Sequence, residues 1–174
     1  KRIQGNLYDT RLVDGLVLDA ALTLDRLPRS LDAGTLLTLT CPLDQEETVR
    51  DTEIEVEKAD QWMAFIQAKE TLLQQKVEAV LATGATAVFS AENIEPSVFH
   101  ALTDAGCFVL GGLERHGIED IARASGATMC DHLDDANQSV LGRFSSLEIE
   151  TGEGLDGRRE RLCMRFGKQA GLVT

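Results

Sequence analysis

Aromatic residues make up only 5% of this 174-residue chain, with a single Trp and a single Tyr. There are three prolines and no Ser- or Gly-rich tract, so no linker is marked. Lysine is scarce too: only Lys1, Lys58, Lys69, Lys76 and Lys168 occur, against 29 acidic residues in total. The resulting net charge of −12 argues against a nucleic-acid partner, because a phosphate backbone selects a basic face. No apolar run exceeds strand length, which leaves no transmembrane helix and no membrane partner. The first residues, KRIQGNLYD, have no apolar stretch behind their basic pair, so they do not read as a signal peptide; a start at Lys1 rather than Met suggests a piece of a longer chain. Cys41, Cys107, Cys130 and Cys163 form no CxxC pair, and His100, His116 and His132 are not spaced to join them around a metal. They read as buried free thiols, and no metal site is expected.

Apolar content of 43% is enough for one packed domain. High acid with little Lys suits a protein kept soluble in concentrated salt, and equally an ordinary acidic cytosolic one. Short strand runs fall on either side of Gly15. A nearly all-apolar strand at 35–40 should be central and covered on both faces. A strand at 53–56 alternates Ile54 and Val56 with Glu53, Glu55 and Glu57. It leads into a long helix from about Gln61 to Ala82, with Asp60 as its expected N-cap and Gly84 as its stop. Strands at 85–90, 107–113 and 127–130 alternate with helices at 95–106 and 117–126, which argues for a parallel sheet. The segment 144–167 reads as a hairpin around a Gly-rich turn at 152–157. The class is therefore α/β with antiparallel additions.

Signals for an enzyme are weak. The glycines of GEGLDG join two strands, whereas a phosphate loop needs backbone amides at a helix N-terminus. The pairs Glu46–Glu47 and Asp134–Asp135 are what an acidic surface supplies. His100, on a helix beside Phe99 and Leu102, reads as structural, and no catalytic residue or cofactor-binding residue is marked. What remains is an apolar display. At 100° per residue, Trp62, Met63, Phe65 and Ile66 span an arc of roughly 160°. They continue a stripe that includes Leu72, Leu73, Val77, Val80 and Leu81. The preceding strand offers little cover for the first two turns, so these turns either join the core or project as a contact surface.

The order of these motifs resembles the apical domain of group II chaperonins, the thermosome and CCT family. The resemblance is carried by LVDGLVLD, LPRSLDAGTLLTLTCPLD, DTEIEVEKADQWMAFIQAKETLLQQKVEAVLATGATAVF, GIEDIARASGAT and LDDANQSVLG, and it covers nearly the whole chain. It implies a single apical, substrate-binding domain over 1–174, of the swivelling β/β/α kind, with a strand–helix protrusion over 45–75. It implies a client-binding and built-in-lid module whose apolar tip, Trp62, Met63, Phe65 and Ile66, meets non-native polypeptides and sibling subunits of a ring. Phe99 and Thr103, on the helix at 95–106, would face the cavity. The family's ATP and Mg sites belong to another domain, so the resemblance implies no ATPase and no cofactor in this piece, and a cytoplasmic parent. Two departures stand out: Gly111–Gly112 replaces the family's Arg pair, and Phe99 stands where a polar residue is common. They motivate an alternative, a chaperonin-like scaffold domain outside a folding ring, as in a large lipid kinase that resembles this family.

Overall fold

The computed structural model describes residues 14–19, 27–43, 59–154 and 157–167. The expected strand at 53–56 and the first of the runs around Gly15 lie outside the described residues, as do two residues of the 152–157 turn. Six strands form one mixed sheet in the order β1-β6-β5-β2-β3-β4. They are β1 (Leu16–Asp19), β2 (Ser30–Leu39), β3 (Ala87–Ser90), β4 (Phe108–Leu110), β5 (Gly142–Gly154) and β6 (Gly157–Arg165). Three helices accompany them: α1 (Ala59–Ala82), α2 (Pro96–Asp104) and α3 (Arg115–Ser125).

The parallel part is β2-β3-β4, with α1 and α2 as its two crossovers. All four residues of Leu36–Leu39 are buried, as are all of β3 and β4. Since successive side chains point to opposite faces, such runs are covered on both sides, as their unbroken apolar sequence requires. Phe89 and Phe108 meet across neighbouring strands with ring centroids 5.9 Å apart. The buried hydroxyls among them are all engaged: Thr38 donates to the Thr128 carbonyl, Thr83 to the Val80 carbonyl, and Ser90 accepts the Glu92 amide. These bonds remove the desolvation penalty of unpaired polar groups.

The antiparallel part confirms the hairpin. β5 and β6 pair from Ser146↔Arg165 to Gly154↔Gly157, and β1 adds outside β6. β2 is longer than its apolar core suggests, because residues 30–35 pair with β5 although they are largely exposed. The strand expected at 127–130 is reduced to one parallel bridge, Leu39↔Cys130. Asp60 lies inside α1 rather than at its cap.

One departure from the family pattern has a backbone cause. Gly112 adopts φ +70° and donates its amide to the Glu92 carbonyl, 3.0 Å away. A Cβ on Gly111 would lie 2.8 Å from the Ile94 side chain and 3.0 Å from that same carbonyl. A side chain at either position would strain or displace the turn, so the paired glycines are demanded by how β4 ends here.

Candidate functional site

The two ends of α1 are held very differently. At the C-terminal end Gly84 takes φ +76° and stops the helix, a conformation that favours glycine. The turn that follows is clipped to β2: Thr35 Oγ1 donates to the Gly84 carbonyl (3.0 Å), and Thr86 donates both its amide and its hydroxyl to the Thr35 carbonyl (2.9 and 2.8 Å). Lys76 Nζ reaches the Pro42 carbonyl at 3.5 Å. Leu73, Val77 and Val80 are buried against the body, and α1 also packs on α2.

Toward the N-terminus the apolar stripe continues but the cover does not. At 100° per residue, Trp62 and Ile66 fall within about 30° of the mean direction of Leu73, Val77 and Val80. Yet Trp62 is 53% exposed and Met63 59% exposed, while Phe65 and Ile66 are half-buried. Trp62 sits eleven residues before Leu73, about 16 Å farther along the axis at 1.5 Å per residue. Its indole stacks on the Phe65 ring, centroids 6.0 Å apart at 28°. The pair leaves apolar aromatic surface partly open to solvent. The four residues chosen from sequence therefore lie together, two of them well exposed.

Phe99 and Thr103 behave otherwise. Phe99 is 7% exposed and packs in the core with Val98 and Leu102, so it offers no open face to a cavity. The reason is the short amphipathic α2, whose apolar side must lie on the sheet to bury anything at all. Thr103 is half-buried, and its hydroxyl donates to the Phe99 carbonyl at 2.8 Å, satisfied within its own helix. His100 is exposed and sits edge-on to Phe99 at 5.6 Å.

Leu72 and Leu81, assigned from sequence to the core stripe, are exposed at 38% and 37%. The spacing holds the reason. Leu81 lies eighteen residues, five full turns, from the equally exposed Met63, and Leu72 points about 100° away from Leu73.

Of the four cysteines, Cys41 is half-buried and Cys107, Cys130 and Cys163 are buried. Burial pushes the Cys107 thiol above its ordinary range. It pushes up the Cys130 thiol as well, with smaller contributions from nearby Cys41, Asp135 and Asp131. Thr40 hydrogen-bonds the Asp131 carboxylate beside them. Raised thiols are poor nucleophiles and poor ligands. Among the described residues no group of three or more His, Cys, Asp or Glu side chains could hold a metal, and no helix is long and apolar enough to cross a membrane.

Comparison with known proteins agrees with this architecture. The fold superposes on the open-state monomer of a group II chaperonin from Methanococcoides burtonii with a TM-score of 0.75, at 20% identity, covering 99% of this chain and 36% of that one. A thermosome subunit beta from Aeropyrum pernix is 34% identical over 156 residues, 90% of this chain and 28% of its own length. A thermosome subunit from Methanopyrus kandleri is 31% identical over 148 residues, 85% of this chain and 27% of its own. The chain thus spans little more than a quarter of the length of these relatives. Residues 1–154 match the family model of the TCP-1/cpn60 chaperonins, and with that match the chain belongs to the TCP-1/cpn60 chaperonin family.

Proposed function

We propose that this chain is the apical, client-binding module of a group II chaperonin, and that the N-terminal turns of α1 are its contact surface and built-in lid. One observation carries the reading: the stripe that buries Leu73, Val77 and Val80 continues through the half-buried Ile66 to Trp62, which is exposed. Non-native polypeptides expose apolar area, and burial against such a face is non-directional, so many sequences can be accepted. Covering the open half of a Trp side chain, about 100 Å², yields about 2.5 kcal/mol. That suits a weak, reversible contact that several side chains add to. The surface also serves neighbouring subunits when a ring of such chains closes. ATP and Mg binding are assigned to the remainder of the parent protein, working in the cytoplasm, and not to this chain. Because Gly111–Gly112 is required by the local backbone, its difference from the family pattern does not favour a scaffold outside a folding ring.

The test is the double substitution Trp62→Ser with Phe65→Ser in the 174-residue chain. Urea unfolding should shift little, since substitutions at exposed sites change stability by about 0.5 kcal/mol and the half-buried Phe65 adds modestly to this. The capacity to hold back aggregation of a denatured test protein should fall. A loss of stability above about 3 kcal/mol, the range for buried aromatics, would assign these residues to the core and remove the client-binding role from α1.

A further inference from the structure

The chain has one Trp, one Tyr and six Phe. Phe89, Phe99, Phe108 and Phe144 are buried, and Phe65 and Phe166 are half-buried. Among the described residues, Trp62 alone of the Trp, Tyr and Phe side chains is exposed. What surrounds it on α1 is of a related kind. At 100° per residue, Phe65 lies about 60° to one side of Trp62, with Ile66 about 40° and Met63 about 100° to the other. The Phe65 ring is inclined by only 28° to the indole. Met63 adds an exposed, polarisable thioether.

The open group is also short. Lys69, half-buried, lies within about 20° of the direction of Trp62 and about 10 Å farther along the axis, so a charged side chain stands in the stripe between Ile66 and Leu73. From Trp62 to Ile66 the helix rises by about 6 Å, room for one or two side chains of a partner. An interaction built on so few side chains gains little from area, and its choice of partner turns on what those side chains are.

From this we infer that the face around Trp62 prefers segments of non-native chain that carry Phe, Tyr or Trp over segments whose apolar side chains are aliphatic. The inference rests on the client-binding reading of the same face and names its substrate class. Burial of area does not distinguish a ring from an aliphatic group of the same size. A ring gains contacts that an aliphatic group lacks: offset or edge-to-face packing on the indole and on Phe65, and a sulfur–ring contact with Met63. Such contacts correspond to about threefold to tenfold in affinity beyond area. The charge of Lys69 acts alike on partners of equal net charge and does not set this preference.

The experiment titrates the 174-residue chain with three Trp-free peptides of about 15 residues, equal in net charge and carrying the same fluorophore. Three positions are Phe in the first peptide, cyclohexylalanine in the second and Leu in the third. Cyclohexylalanine matches Phe in shape and exceeds it in apolarity but has no π-system, so area alone ranks it first. By anisotropy of the fluorophore, the Phe peptide should bind about threefold to tenfold more tightly than either of the others. Trp62 is the only tryptophan in the chain, and its emission should change as each peptide binds. Trp62→Leu, which keeps an apolar side chain at an exposed position, should abolish the advantage of the Phe peptide while leaving urea unfolding unchanged. A cyclohexylalanine peptide that equals or exceeds the Phe peptide, with Trp62 emission changed by both, overturns the ring preference and leaves the contact surface standing. Failure of every peptide to change Trp62 emission overturns the contact surface as well. An advantage of the Phe peptide that persists in Trp62→Leu also overturns the inference, because the ring is then recognised elsewhere. A marked loss of stability in Trp62→Leu would assign Trp62 to the core and overturn both readings together.

Discussion

The two halves of α1 belong to one helix and share one apolar stripe, yet they have opposite fates. Around Leu73, Val77 and Val80 the stripe is buried, and the chain is tied to β2 by Thr35, Thr86 and Gly84. Around Trp62 the same face is open to solvent. The short helix α2 supplies a third case, in which Phe99, an aromatic of the kind that stays open at the tip, is drawn fully into the core. An apolar side chain on a helix is therefore a demand for cover. Whether the demand is met depends on what stands opposite it.

The comparison can be broken most sharply at Phe99. If it is core, Phe99→Ala should destabilise the chain by about 3–5 kcal/mol, as truncation of a buried aromatic does. Chemical unfolding that shows less than about 1 kcal/mol would return Phe99 to the surface and undo the contrast with Trp62. Next in size is the anchored half of α1. Leu73→Ala is expected to lower stability by about 2–3 kcal/mol, toward the low end of the buried-Leu range because the residue lies at the margin of the core. At the tip, Met63→Ala, a change at an exposed side chain beside the stripe, should move it by about 0.5 kcal/mol or less. Equal effects at the two positions would mean that the helix is buried, or exposed, along its whole length.

Smaller effects come from charge and from the thiols. Twelve excess negative charges repel one another, and salt screens them. Thermal melts should therefore show a higher midpoint at about 2 M KCl than at about 0.1 M. A midpoint that falls or stays level would count against a chain shaped for concentrated salt. The smallest change concerns Cys107 and Cys130, whose folded-state values lie above those of an unfolded chain. A raised thiol binds its proton more tightly when folded. The stability this contributes is complete below the unfolded value of about 8.5 and is lost as pH rises through the folded one. Urea midpoints should hold level up to about pH 8 and then decline, while Cys107→Ala with Cys130→Ala should flatten that decline. The same two thiols should be alkylated far more slowly at pH 8 in the folded chain than in urea, because burial keeps them both protonated and covered.

Much of the fold is legible in the sequence, for identifiable reasons. Apart from Thr38, Leu36–Leu39, Val88–Phe89 and Phe108–Leu110 are apolar without alternation, which only a strand covered on both faces tolerates. Pro96 at the start of α2 and Gly84 at the end of α1 punctuate the helices by backbone geometry that is local to each residue. Gly154 and Gly157, which pair at the facing ends of β5 and β6, mark the hairpin in the sequence as turn-forming residues do. That Trp62, Met63, Phe65 and Ile66 form one apolar group at the start of α1 is likewise read from spacing alone.

Other features resist such reading. Residues 30–34 carry Ser30, Asp32 and Gly34 and do not look like a strand; they become one because β5, more than a hundred residues later, presents an edge with matching register. The strand expected at 127–130 shrinks to the single Leu39↔Cys130 bridge because the chain enters the 3₁₀ turn at Leu133–Asp135 soon afterwards. Periodicity and residue type by themselves determine which face of α1 and α2 is apolar, where the helices stop, and that parallel strands alternate with them along the chain. Only the tertiary structure decides that Phe99 is covered, that Leu72 and Leu81 are not, and that the stripe of α1 runs past the edge of the body before Trp62. The physical reason is that apolarity is a property of a side chain, whereas burial is a property of a pair of surfaces, and the second surface comes from residues far away in the chain.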